Sequence, residues 1–134
     1  MGCIASFPGI LHPPIEMPHR TYADLVNDAK RTIAEVTPQE TMQLRRDPNT
    51  VIVDCREPNE FNLGAIPGAY LIPRGLIEQN IEGAATREKK VIIYCASGNR
   101  SALAAVTLRE MGYVDVASMS TGFRGWVEAG GEVD

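Results

Sequence analysis

Short runs of apolar, β-branched residues alternate along this chain with stretches of helical periodicity. From Thr21 onward, Tyr22, Leu25, Val26, Ala29 and Ile33 recur at helical spacing, with Asp24, Asn27, Asp28, Lys30 and Arg31 between them. Thr21 is placed to cap this amphipathic helix. Thr37-Pro38-Gln39-Glu40 predicts a second start: Thr37 caps, Pro38 suits the first turn, and Glu40 completes a capping box. That helix should run to Arg46 and stop before Asp47-Pro48, because the residue before a proline disfavours helical backbone. Val51-Ile52-Val53 and Val91-Ile92-Ile93-Tyr94 read as buried strands. Tyr70-Leu71-Ile72 is a weaker third, Val114-Asp115-Val116 a fourth, and residues 33–36 a short edge piece. Helical stretches cover Leu76 to Ile81, Ser101 to Met111 and Phe123 to Glu128. Alternation of this kind predicts an α/β fold with a mainly parallel sheet.

Prolines crowd the first twenty residues, where nothing reads as a packed element. The expected organisation is an irregular tail over residues 1–20, a helical extension over 21–35 and one domain over 36–134. A length of 134 residues with 44% hydrophobic side chains suits a single core. The net charge of -4, from 13 basic and 17 acidic residues, leaves no electrostatic footprint for nucleic acid. It leaves room for a locally positive site.

Three cysteines, Cys3, Cys55 and Cys95, are widely spaced and form no CxxC pair, which removes support for a zinc knuckle or a thioredoxin-like centre. Reduced thiols in a cytoplasmic setting are the simpler reading. His12 and His19 lie among prolines without further ligands, so neither a metal nor a cofactor is expected. No apolar run approaches a membrane span, and prolines 8, 13, 14 and 18 interrupt any leader-like stretch. Met1-Gly2-Cys3-Ile4-Ala5-Ser6 fits the N-myristoylation pattern, with Cys3 as a second acylation position. A lipid anchor at Gly2 and Cys3 is thus the alternative to a cytoplasmic location, although so short a pattern often arises by chance.

The chemistry concentrates in Tyr94-Cys95-Ala96-Ser97-Gly98-Asn99-Arg100-Ser101. A strand ends, a polar loop follows, and a helix is expected to open near Ser101, with Ser101 as its cap. Ligands of open parallel sheets bind beyond the carboxyl ends of the strands, where Cys95 sits. Gly98 permits positive φ, so the amides of residues 96 to 101 can turn inward as an anion cradle at a helix N-terminus. Such a cradle, beside Arg100, favours the thiolate, which is the nucleophile. No histidine lies near the loop, so a Cys-His hydrolase is disfavoured. A cysteine alone after a strand would more often be an inert buried thiol; the loop that follows reverses that preference. Ser97 and Asn99 offer further hydrogen bonds, to an anion or to the loop itself.

Three further segments complete a resemblance to the rhodanese homology domain. Asp54-Cys55-Arg56-Glu57-Pro58-Asn59-Glu60-Phe61 is similar to the family's strand-end Asp-x-Arg with a later Glu and aromatic. Gly64-Ala65-Ile66-Pro67-Gly68-Ala69 is similar to its Gly-His-Ile-Pro-Gly-Ala turn, and Gly122-Phe123-Arg124-Gly125-Trp126 to its closing Gly-Gly-x-x-x-Trp. With the Cys95 loop, the likeness spans residues 36 to 130. It implies a five-stranded, mainly parallel sheet flanked by helices on both faces, with the segment near residue 21 as an extra N-terminal helix. It also implies a sulfurtransferase without cofactor. Cys95 would take sulfane sulfur from thiosulfate or a persulfide, carry it as a persulfide, and pass it to cyanide, a small thiol or a sulfur-relay protein.

Two positions depart from the family. Ala65 stands where the turn commonly carries His, and Ala96 where several members carry a cation, leaving Arg100 as the loop's fixed charge. Asp54, Arg56 and Glu60 read as supporting residues, one of them pairing with Arg100. Cys55 either packs beside Asp54 or approaches Cys95 closely enough to resolve it. Phosphatases and arsenate reductases of the same fold carry a loop one residue longer, so Cys95 to Arg100 favours sulfur over a tetrahedral oxyanion. Non-catalytic binding modules of the family typically lack the cysteine that this chain has.

Overall fold

Each β-branched run becomes a parallel strand, and the helical stretches between them supply the crossovers that parallel pairing requires. The computed structural model describes residues 19–134; Gly2, Cys3 and His12 lie outside the described residues. In chain order the elements are α1 (Tyr22–Thr32), β1 (Ala34–Val36), α2 (Pro38–Leu44), β2 (Thr50–Asp54), α3 (Pro58–Asn62), β3 (Tyr70–Leu71), a 3₁₀ turn (Arg74–Leu76), α4 (Ile77–Ala84), β4 (Lys90–Tyr94), α5 (Asn99–Glu110), β5 (Asp115–Met119) and α6 (Gly122–Glu128). The sheet runs β1-β5-β4-β2-β3, and every neighbouring pair is parallel.

Period-two alternation sorts the central strands onto two cores. Val51 and Val53 of β2, with Val91 and Ile93 of β4, face Ile77 and Ile81 of α4 and Ala105 and Leu108 of α5. Ile52, Ile92 and Tyr94 face the other way, against Trp126 of α6, with Met42 and Leu44 of α2 at the margin. Helices therefore cover both faces, as the resemblance implied. Burying one such aliphatic side chain is worth about 1.5–3 kcal/mol, so strands this short hold by facing two cores. Both expected caps form. Thr21 Oγ accepts from Asp24 N at 3.1 Å while Asp24 accepts from Thr21 N at 2.9 Å. Thr37 and Glu40 repeat the arrangement at 3.0 and 2.8 Å.

Three local expectations change. Helix α3 gives no periodic signal because its five residues contain none that is buried; it forms on the Glu60 carboxylate, which accepts from Glu57 N at 2.9 Å, with Pro58 in the first turn. Strand β5 runs on through Ala117-Ser118-Met119, whose small and polar members hide a buried strand. Helix α5 opens at Asn99, two residues before the expected start. Gly98, at φ 100°, is its N-cap, so Ser101 is not the cap but lies one turn inside.

Candidate active site

Cys95 follows the last residue of β4, and the chain turns back immediately to enter α5. What turns it is α6. The Cys95 carbonyl accepts from Phe123 N at 2.7 Å, and the Ala96 carbonyl from Arg124 N at 3.1 Å. In a trans peptide the next N–H points opposite to the carbonyl, so the Ala96 and Ser97 amides are aimed away from α6 and into the loop. Left-handed backbone at Thr121 (φ 63°) and Gly122 (φ 59°) lays the start of α6 against the loop.

Two further amides of the loop meet the thiol. Gly98 N donates to Cys95 Sγ at 3.1 Å and Ser101 N at 3.3 Å, with Ser101 Oγ 3.4 Å away. Ser101 Oγ in turn shares a hydrogen bond with Ser118 Oγ at 2.8 Å. Cys95 is 1% exposed and sits at the floor of the loop, beneath the exposed Ser97. Its pKa is pulled down from 9.0 to about 4, first by the hydrogen-bond-donating Cys55 thiol and then by Ser101 and the loop amides, which together outweigh burial. Cys55 moves the opposite way: the Cys95 thiolate and burial hold it protonated. Ionisation thus rests on one sulfur of the pair.

Arg100 does not point free into the loop. Both of its terminal nitrogens bind Glu60, at 3.0 and 3.1 Å. Glu60 also caps α3 through Glu57 N at 2.9 Å, so the loop's cation is tied to a fixed helix start. Arg100 depresses the Glu60 carboxyl pKa, and Glu60 raises that of the guanidinium. Asp54 and Arg56 form a separate buried pair, 2.7 Å between Oδ2 and Nη2, with the guanidinium also donating to Gly64 O at 2.7 Å. The Arg56 guanidinium lies 4.3 Å from the Phe123 ring centre. Asp54 and Arg56 therefore brace the turn around residue 64 and the α6 start rather than Arg100. The side chains of Ser97 and Asn99 make no hydrogen bond among the described residues.

Several contributors carry no sequence signal. Ser118 is a serine inside a strand, and the Tyr94 hydroxyl accepts from Ile66 N at 3.1 Å from the apolar end of a strand. The amides of Phe123 and Arg124 act through backbone alone. Among the described residues no group of His, Cys, Asp and Glu could hold a metal ion, and no helix is long and apolar enough to cross a membrane.

Comparison with known proteins agrees with this geometry. The family model of the Rhodanese-like domain matches residues 37–129. A curated relative, thiosulfate sulfurtransferase GlpE of Tolumonas auensis, is 32% identical over 88 residues, 66% of this chain and 82% of that one. The chain spans 55% to 65% of the length of three other curated relatives that it matches. Among solved structures, a Rhodopseudomonas palustris protein of unknown function, described as a possible tyrosine phosphatase, superposes with a TM-score of 0.79 at 33% identity, over 91% of this chain and 100% of that one. The polysulfide-sulfur transferase homodimer of Wolinella succinogenes superposes at 0.72 with 27% identity, over 81% of this chain and 83% of that one.

Proposed function

The chain belongs to the family of Rhodanese-like domains, and from that premise we propose that it is a sulfurtransferase working through a persulfide on Cys95. The observation that carries this reading is the pair of amides, Gly98 N and Ser101 N, on Cys95 Sγ. They stabilise an anionic sulfur in place, so the thiolate needs no general base.

The thiolate attacks the outer sulfur of the donor. A bond forms between Sγ and that sulfur while the donor's own sulfur–sulfur bond breaks. Thiosulfate leaves as sulfite; an organic persulfide leaves as its thiolate. The terminal sulfur of the new persulfide is anionic and lies among the remaining amides of residues 96 to 100. An acceptor thiolate or cyanide then attacks that terminal sulfur and returns Cys95 to the thiolate. Arg100 shapes the loop from its seat on Glu60. With its charge answered there and Ala96 neutral, the loop holds no uncommitted cation for a sulfonate. A persulfide or polysulfide donor therefore suits this site better than thiosulfate. The likeness to the Wolinella polysulfide-sulfur transferase supports the same preference.

A phosphatase reading has the Rhodopseudomonas likeness behind it. Against it stand the short loop and Arg100: a phosphoryl dianion calls for a guanidinium fork free to bind two oxygens, and here Glu60 occupies both terminal nitrogens. Intact mass after incubation with polysulfide and with thiosulfate separates the readings. The expected result is gain of one sulfur, faster from polysulfide and absent in Cys95→Ser. Hydrolysis of an aryl phosphate with no sulfur adduct from either donor would overturn the proposal.

A further inference from the structure

Beside the nucleophile lies a second thiol that forms no bond to sulfur in the transfer steps. Strands β2 and β4 pair in register, Val51 with Val91, Val53 with Ile93 and Asp54 with Tyr94. The ladder continues one bond further, Cys55 N donating to Tyr94 O at 2.9 Å. The next pair in that register is Cys55 and Cys95. Alternation puts both side chains on the same face as Val53 and Ile93, and all four belong to one core cluster. Neighbouring strands run about 4.7–4.9 Å apart, inside the roughly 4.4–6.8 Å between Cα atoms that a disulfide spans. Both cysteines are free and buried, Cys55 at 0% and Cys95 at 1% exposure.

We propose that Cys55 resolves the Cys95 persulfide, closing a Cys55–Cys95 disulfide and expelling the carried sulfur as hydrosulfide. This rests on the sulfurtransferase reading and adds an activity to it: reductive release of sulfane sulfur when no acceptor arrives. The Cys55 sulfur bonds to Cys95 Sγ, and the bond from Sγ to the outer sulfur breaks. The outer sulfur leaves with that electron pair and takes the Cys55 proton. One thiol and one persulfide anion thus become one disulfide and one hydrosulfide ion, with charge and protons balanced. The sulfane sulfur is reduced by two electrons, and the two cysteine sulfurs supply them, so no outside oxidant enters. A small thiol or dithiol reductant then reopens the disulfide.

Timing follows from the pair's electrostatics. While Cys95 is the thiolate, its charge keeps Cys55 protonated and inert. Once Sγ is bonded to another sulfur, the negative charge sits one atom further out and its hold on Cys55 weakens. Adjacency in the sheet supplies a high effective concentration that a thiol in solution lacks.

The test uses the full chain with Cys3→Ser, so that two thiols remain, treated anaerobically with stoichiometric polysulfide and no acceptor. The expected product is two hydrogens lighter than the reduced chain, with one equivalent of sulfide released beyond what the donor leaves and a non-reduced digest joining the Cys55 and Cys95 peptides. Cys55→Ser, which keeps a hydrogen-bond donor beside Cys95, should stop at one added sulfur, with no disulfide and no sulfide beyond what the polysulfide leaves on giving up that sulfur. A lasting persulfide in the chain that retains Cys55 overturns the proposal. If no variant gains sulfur, the sulfurtransferase reading fails instead, and hydrogen peroxide decides the fate of the pair. Peroxide converts the Cys95 thiolate to a sulfenic acid, from which Cys55 would displace water to give the same disulfide. Sulfinic acid on Cys95 without that disulfide then removes the resolving role as well.

Discussion

Replacing Gly122 with alanine tests whether α6 turns the Cys95 loop inward. A Cβ on Gly122 would lie 2.5 Å from Cys95 O, 2.6 Å from the Ala96 carbonyl carbon and 2.6 Å from Ser97 N, all backbone atoms. That is roughly 1 Å short of an ordinary contact, and no side chain can swing aside to relieve it. Gly122 also has φ 59°, which costs a residue bearing a Cβ about 1–2 kcal/mol. Overpacking adds about 1–3 kcal/mol, for a total of about 2–5 kcal/mol and a fall in Tm of roughly 10–20 °C. The same shift should part Gly98 N and Ser101 N from Sγ and raise the pH at which Cys95 alkylates. Gly68→Ala is the control, because Gly68 has φ +82° and nothing within 4 Å of its Cβ position. It should lose only about 1–2 kcal/mol and leave Cys95 reactivity unchanged. Thermal unfolding and iodoacetamide kinetics against pH measure both effects. If Gly122→Ala matches Gly68→Ala in Tm and in its alkylation profile, the coupling of α6 to the loop is refuted.

In the Cys3→Ser chain, alkylation of Cys95 should hold level from about pH 8 to pH 5, because a thiol with a lowered pKa stays ionised well below the ordinary value of about 8.5. The rate should fall only as the pH approaches about 4, and a tenfold drop per unit starting near neutrality would contradict the cradle. Asp54→Asn strands the Arg56 guanidinium, whose side chain is 6% exposed, without a counter-charge. Urea unfolding should register a loss of about 3–5 kcal/mol, and a change under 1 kcal/mol would mean that water already shields the pair. Thr50 Oγ1 is the one buried side-chain polar atom without a partner among the described residues. Thr50→Val should therefore stabilise by about 0.5–1 kcal/mol, seen as a higher urea midpoint at unchanged slope, and a lower midpoint would reveal a hydrogen bond through water.

Local chemistry makes much of this protein legible in the order of its residues. The runs at Val51 and Val91 could only be strands buried on two faces, and the Thr21 and Thr37 caps act within four residues of their partners. Gly98 declares a turn into a helix with an anion-binding N-terminus. Each of these depends on neighbours close in sequence, whose interactions backbone geometry alone dictates. Helix α3 escapes such a reading because it is held by a cap and a proline rather than by an apolar stripe. Strand β5 reads short because Ser118 looks polar until Ser101 is seen to satisfy its hydroxyl.

Partners far apart in sequence are decided by the fold alone. The order of residues could not choose whether Asp54 or Glu60 meets Arg100, since either carboxylate could reach a strand-end loop; sheet order and the placement of α3 give Arg100 to Glu60 and Asp54 to Arg56. Nor could it show that the carbonyls of Cys95 and Ala96 are drawn outward by amides of residues 123 and 124, which leaves the thiol facing the loop's own N–H groups. Cys55 and Cys95 stand forty positions apart in the chain and side by side in the sheet, because β2 pairs with β4 and not with another strand. Sequence determines which groups are present and how each stretch of backbone bends; which charges and thiols lie within a few ångströms of one another is settled when the strands choose their neighbours.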